Sequence, residues 1–256
     1  MHRFTYPLPI LRATLMQRVN RFMADVQLES GQRLTALCAN TGSMKTCSEP
    51  GRPILLSFKG EGAGKYPHLW ESIHMGQCWV NVNTSLPNGG TKQLVLADAL
   101  ESLQGWPFVR SEVKYGRDGR SRIDLLLTCT PPPKKRKKDP DPQPRCKPDG
   151  RPDCYVEVKN TSMRAGDCSV FPDSVTERGQ KHLVELTALA RKGIGAAMVY
   201  FCGRTDTQAF RPADEIDPAY GKLLRKAVKA GVQVLPLQLR FDESGWEYVK
   251  LLPVQL

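Results

Sequence analysis

SRIDLLL at 121–127, answered by CYVEVKN at 154–160, is the pair of runs on which the reading of this chain turns. Side chains alternate along a strand, so Glu157 and Lys159 project from one face while Val156 and Val158 pack on the other. If the strand carrying Asp124 lies alongside, its carboxylate meets that of Glu157. Two converging carboxylates repel unless a cation sits between them, and a divalent metal is the economical explanation. The competing reading makes both carboxylates solvated edge-strand charges, with Lys159 as the partner of Glu157. An Asp and a Glu-x-Lys taken alone occur often by chance, so the wider context has to decide.

That context begins with charge. Among 256 residues, 37 Lys and Arg face 26 Asp and Glu, a formal +11. Such an excess suits a polyanion or an anionic membrane surface, and charge does not choose between them. The 40% apolar composition is ample for packed cores and permits one large domain or two modest ones. No run is long enough for an apolar membrane span, and residues 1–22 lack an uninterrupted apolar segment followed by a small-residue cleavage site. The expectation is a cytoplasmic protein whose Leu11, Leu15 and Val19 enter a folded domain. The eight cysteines show no Cys-x-x-Cys pair. Cys38, Cys78 and Cys202 stand in apolar runs as small hydrophobes, while Cys129, Cys146 and Cys154 lack the tight spacing that zinc favours.

Two segments differ in periodicity. From Arg21 to Val82 the runs FMADVQLE, RLTALCA, PILLSF and CWVNV alternate with glycines and prolines, which predicts a small β-barrel of the oligonucleotide-binding type over 1–83. Within it Asn40, Thr41 and Ser43 could hold a phosphate, or could form a polar turn satisfied by its own side chains. After Asn83, Thr84, Pro87 and Asn88 the signals alternate between strand and helix. LVLADALESL reads as a helix, and FVRSEVKYG, SRIDLLLTC and CYVEVKN read as strands. A second helix is capped by Ser174 and Glu177, its apolar side running through Val175, Leu183, Leu186, Leu189 and Ala190 to Gly193. AAMVYFC, a helix opened by Asp217 and Pro218, and VQVLPLQL follow. This predicts an α/β domain over 84–256 with helices on a mixed central sheet. A proline-rich insertion at about 131–153 has almost nothing apolar and is expected to be exposed and mobile. Its basic run Lys134, Lys135, Arg136, Lys137 and Lys138 either touches phosphates or stays solvated.

The strings NTGSM, VNTSLPN, EVKYG, SRIDLLL, YVEVKN, FPDSVTERGQKHL and RPADEIDPAY together resemble the sugar fermentation stimulation protein A family over nearly the whole chain. The resemblance implies an oligonucleotide-binding-like barrel followed by a restriction-endonuclease-like domain of the PD-(D/E)xK type. It also implies that the family's aspartate is Asp124, its Glu-x-Lys is Glu157 and Lys159, its helical glutamine is Gln180, and an upstream acid is Glu112. His182, two places beyond Gln180, is read as a surface residue. The chain departs from the family pattern in the insertion after Thr130 and in KTCSEPG after NTGSM.

On this basis Asp124, Glu157 and the backbone carbonyl of Val158 are expected to hold Mg2+ or Mn2+ through hard oxygen ligands. Lys159 and Gln180 would orient the attacking water or offset charge during phosphodiester hydrolysis. The expected partner is DNA, without strong sequence specificity and with no membrane. The alternative is a catalytically silent DNA-binding protein with a regulatory role in sugar metabolism, since a fold can outlive its chemistry.

Overall fold

Alternation of apolar and polar residues begins earlier than the sequence reading placed it. After a two-residue strand β1 (Arg3–Phe4), the N-terminal segment forms β2 (Ile10–Arg18), β3 (Met23–Leu28), β4 (Arg33–Leu37), β5 (Pro53–Phe58), β6 (His68–His74) and β7 (Trp79–Asn81). The protein is described here from a computed structural model, which covers residues 2–116, 119, 121–134, 136 and 140–256. Strands β2 to β7 make one sheet in the order β4-β3-β2-β5-β6-β7, and a parallel contact at Leu37 and Leu69 brings β4 to β6, partly closing it. Irregular register at Leu15/Gln17 and at Leu55/Leu56 supplies the bends that curl a sheet towards closure. Leu15, Val26, Ile54, Leu56, Trp70 and Ile73 fill the interior. This is the expected oligonucleotide-binding type of barrel. The run around Leu11 and Leu15 enters the barrel as its strand β2, and Val19 just beyond the strand is exposed.

The second segment contains α1 (Leu86–Leu96), β8 (Phe108–Tyr115), β9 (Ser121–Thr128), β10 (Cys154–Thr161), β11 (Arg164–Ala165), β12 (Cys168–Phe171), α2 (Glu177–Ala190), β13 (Gly195–Cys202), β14 (Ala209–Pro212), α3 (Pro218–Lys229), β15 (Gln233–Asp242) and β16 (Gly245–Leu251). Its central sheet has the order β1-β16-β15-β13-β10-β9-β8. Strand β10 runs parallel to β13, and β13 to β15, while the outer pairs are antiparallel. Helix α1 packs on one face with Val156, Val158 and Val199, and helices α2 and α3 pack on the other with Leu126, Met198 and Tyr200. A small sheet, β11-β12-β14, flanks them.

Three features revise the sequence reading. Strand β1 pairs with β16, and Phe4 stacks on Trp246 with ring centroids 4.4 Å apart, so the first residues belong to the central sheet rather than to the barrel. Helix α1 starts at Leu86, with Pro87 in its first turn, and ends at Leu96, so VNTSLPN leads into a helix and ALESL lies outside it. In α2 the cap is Thr176, whose hydroxyl accepts from the Gly179 N–H at 3.1 Å, in place of Ser174, and Val175 is exposed.

Residues described between Thr128 and Cys154 form neither strand nor helix, and most are exposed. The later part is nevertheless tied down. Arg145 donates to the carbonyls of Val95 and Leu96 at 3.0 and 3.2 Å, capping the end of α1, and Arg151 lies 4.9 Å over the Trp106 ring.

Adjacent glycines in α1 test this packing. A Cβ on Gly90 would sit 3.0 Å from Phe201 and 3.2 Å from Trp246, whereas one on Gly89 would meet nothing within 4 Å. Gly89→Ala should stabilise the protein by about 0.5–1 kcal/mol and Gly90→Val should destabilise it by about 1–3 kcal/mol, as read by denaturant unfolding. Equal effects would place the α1 contact elsewhere.

Candidate active site

The ladder between β9 and β10 runs through Cys154 opposite Leu127, Tyr155 opposite Leu126 and Val156 opposite Leu125, and then stops. The next residues on the two strands are Asp124 and Glu157. In place of a backbone bond there, Asp124 inserts its own carboxylate, whose Oδ2 accepts from the Val158 N–H at 2.7 Å. Its Oδ1 accepts from Asn88 in the first turns of α1, also at 2.7 Å. By alternation Glu157 falls on the side of Tyr155, which packs towards α2 and α3, whereas Asp124 reaches Asn88 of α1 and the Val158 N–H where the ladder ends. The two residues follow directly on the last paired positions of β9 and β10, near enough for the Glu157 charge to act on Asp124.

Glu157 is 2% exposed. Its Oε1 accepts from Lys159 Nζ at 2.6 Å and is in close contact with His182 Nδ1 from α2, while Lys159 and His182 lie 3.3 Å apart. The other oxygen, Oε2, is buried with no hydrogen-bond partner. An unsatisfied buried carboxylate oxygen is costly, and an additional positive or donating group would relieve it. Burial pushes the Asp124 acid up, to about 6, and the Glu157 charge adds to this; the Val158 N–H pulls the other way. Burial acts to raise Glu157 too, but the His182 hydrogen bond and the Lys159 charge together take it below its ordinary value. The pair is thus tuned apart: Glu157 holds its charge, and Asp124 shares the cost of having it close by.

Other residues singled out from sequence fall in various places. Glu112 follows on the third strand of the row, at positive φ (55°), exposed, with Asn88 Nδ2 at 3.5 Å and Arg122 at 4.0 Å. Gln180 is not turned to the carboxylates: both its contacts, at 3.0 Å, are to Asp217, which caps α3 through the Tyr220 N–H. Its amide nitrogen ties α2 to α3, which corrects the role expected for it. His182 is corrected in the opposite sense, being 4% exposed and part of the Glu157 network. The signal was present in the sequence, because Gly179, His182, Leu183 and Leu186 have the spacing of one helix face and are all buried.

The turn at Asn40 is satisfied partly by its own side chain and partly by Asp173. Asn40 Oδ1 accepts from the Gly42 N–H at 2.9 Å, and the Ser43 N–H donates to Asp173 at 2.7 Å. The Gly42 and Ser43 N–H groups are thus taken, and Thr41 is the exposed member of the turn. In the insertion Lys134 pairs with Asp141 at 2.9 Å, and Arg136 is exposed. Lys135, Lys137 and Lys138 lie outside the described residues. Cys38, Cys78 and Cys202 are buried as expected. No described helix is long and apolar enough to cross a membrane. Among the described residues no group of three or more His, Cys, Asp or Glu side chains is gathered for a metal, so a cation between Asp124 and Glu157 would need backbone or solvent oxygens as well.

Comparison with known proteins gives one consistent answer. Residues 85–245 match the sugar fermentation stimulation protein RE domain and residues 16–82 match the SfsA N-terminal OB domain. Sugar fermentation stimulation protein homologs from Geotalea uraniireducens, Pelobacter propionicus and Gloeobacter violaceus are 39%, 42% and 40% identical, covering 98%, 97% and 96% of this chain and 99%, 98% and 95% of their own. The solved structure of Pyrococcus furiosus SfsA in complex with Ca2+ superposes with a TM-score of 0.82 at 26% identity, covering 100% of both chains.

In metal-free protein Asp124 should titrate near pH 6 by carboxyl NMR, and Glu157→Gln should lower that value by removing the neighbouring charge. The linkage follows in sign. An acid with a raised folded pKa binds its proton more readily when folded, so this group favours folding as pH falls from about 7 to about 4. A titration of Asp124 in the ordinary carboxylate range would mean that it is neither buried nor close to the Glu157 charge.

Proposed function

The chain belongs to the sugar fermentation stimulation protein family, and on that premise we propose that it binds DNA without strong sequence preference and hydrolyses phosphodiester bonds at Asp124 and Glu157 with a divalent cation. The observation that carries this reading is the position of Asp124 and Glu157 directly after the last paired residues of β9 and β10, with one buried oxygen of Glu157 unpartnered and its charge felt at Asp124. A hard cation is the group that such oxygens accept, and the relative from Pyrococcus furiosus is described in complex with Ca2+. Mg2+ or Mn2+ suits the same donors, because magnesium is commonly held by one or two carboxylates and keeps several waters. When bound, such an ion supplies Lewis-acid polarisation of the phosphate and a more acidic water.

The chain's own groups do the remaining work. Asp124 is fixed by Val158 N–H and Asn88, so it does not have to be ordered when a cation arrives. His182 holds Glu157 from α2, fixing the carboxylate in the sheet. Lys159 has an ammonium already in this network, 15% exposed, and is positioned to offset negative charge developing on the phosphate. The formal +11 supplies a sequence-independent attraction for the polyanion, which weakens with salt as counterions are released. A silent DNA-binding module is favoured by a different observation: Lys159 and His182 both engage Oε1 of Glu157, so that oxygen has partners from the chain itself.

Substitution separates the two readings. Lys159→Ala should retain Mn2+ binding by calorimetry and lose about 10²–10³-fold in cleavage of labelled DNA, whereas Asp124→Ala should lose the metal. Wild-type protein that leaves flaps, junctions and free ends intact in Mg2+ and Mn2+ would establish the silent module. Equal cleavage by wild type and the Lys159 variant would move the chemistry to another site.

A further inference from the structure

Beyond Lys159, strand β10 continues into the wall of a second feature. Asn160, Thr161 and Ser162 line a polar cleft between the barrel and the central sheet, whose opposite wall is the Asn40–Gly42 turn and whose rim carries Arg21. Its volume, about 370 Å³, lies near the lower end of ligand-pocket sizes, roughly 300–1,000 Å³. That is room for one nucleotide unit and not for a duplex.

The geometry points to this cleft as the seat of a single-stranded DNA segment adjoining the scissile phosphate, an inference that rests on the DNA reading above and specifies the form of its substrate. Three observations support it. First, the cleft cannot widen easily, because its two walls are bonded to each other. Ser43 N–H reaches Asp173 at 2.7 Å, Asn81 donates to Asn160 at 3.1 Å, and the Thr84 hydroxyl, on the connection to α1, holds Ala39 of the barrel at 2.7 Å. A duplex would have to break these bonds; one extended strand would not.

Second, the lining chemistry suits a sugar-phosphate chain. Thr41 and Arg21 are exposed donors on the barrel side, and Asn160, oriented by Asn81, leaves its own NH2 as a donor on the sheet side. Asp173, the acid in the lining, is occupied by the N–H and hydroxyl of Ser43, so its charge is partly offset. Third, position follows from strand geometry. Successive residues on β10 rise about 3.3 Å, so Thr161 lies about 7 Å along the strand from Lys159, comparable to one backbone step of an extended single strand. A phosphate at Lys159 therefore places the neighbouring nucleotide at the cleft mouth.

The test plugs the cleft from an exposed position. Fluorescence anisotropy of a labelled oligo(dT) and of a blunt duplex, both in Ca2+, compares wild type with Thr41→Trp and, as a milder change, Arg21→Ser. Wild type should bind the single strand more tightly than the duplex. Both variants should weaken the single strand, Thr41→Trp by about tenfold or more, and change the duplex by less than about twofold. Mn2+ affinity by calorimetry should be unaltered in both variants, which reports the metal site separately. Equal weakening of both DNA forms, or weakening of neither, overturns the cleft assignment while the DNA reading stands. Wild type that binds neither form overturns both.

Discussion

A carboxylate sits in the middle of a strand that is covered on both faces, and much of the site follows from that constraint. Strand β10 lies between β9 and β13, with α1 packed on one side and α2 and α3 on the other. Val156 and Val158 satisfy the first side with apolar contacts. Glu157 on the second side cannot, because an ionised group in that position costs several kcal/mol unless partnered. Lys159 and His182 are those partners, one from the same strand and one from the helix above. The arrangement leaves Oε2 unanswered, and an uncompensated buried oxygen is the kind of local cost that functional sites retain.

The same strand joins the two domains. Asn160, directly after Lys159, accepts from Asn81 at the end of β7, and the Asn81 N–H in turn donates to Gly203 O at 2.8 Å. Arg204, 2% exposed, carries the linkage further by donating to Ser162 O and pairing with Asp206. Displacement of the barrel would therefore be felt at β10 within a few residues of Glu157. Positioning of substrate by the barrel and positioning of the carboxylates by the sheet share one rigid element, and precision at a site is greatest when it is built on such an element.

What could be read from the sequence was whatever has a short period. The alternation in SRIDLLL and CYVEVKN located β9 and β10 and put Glu157 and Lys159 together, because neighbours two apart on a strand must share a face. Asp217 and Pro218 announced α3 for the same local reason. Helix α1 was obscured because Gly89 and Gly90 have poor intrinsic helix propensity; at Gly90 a Cβ would crowd Phe201 and Trp246 at 3.0 and 3.2 Å, a constraint that is tertiary. His182 was misjudged through its polarity, since the helix spacing already placed it with Leu183 and Leu186. Gln180 was overread for the converse reason: nothing local shows that Asp217, far along the chain, binds its amide. The pairing of β1 with β16 joins the two ends of the chain and has no local signal at all.

The long insertion after Thr130 is the main departure from the family pattern, and topology explains why it need not disturb the chemistry. It leaves the hairpin at Thr128 and returns at Cys154, while the carboxylates lie at the other end of the β9–β10 ladder. The pairs Cys154 with Leu127, Tyr155 with Leu126 and Val156 with Leu125 stand in between, a rigid spacer of about 10 Å at the usual strand rise. On its return the insertion is fastened by Arg145 to the closing carbonyls of α1, the end remote from Asn88, which meets Asp124 near the start of that helix. Forces on the loop are therefore transmitted to the far ends of β9, β10 and α1. Its length and charge can change while Asp124, Val158 and Glu157 keep their register, because that register is set by ladder bonds and side-chain contacts in which the insertion takes no part.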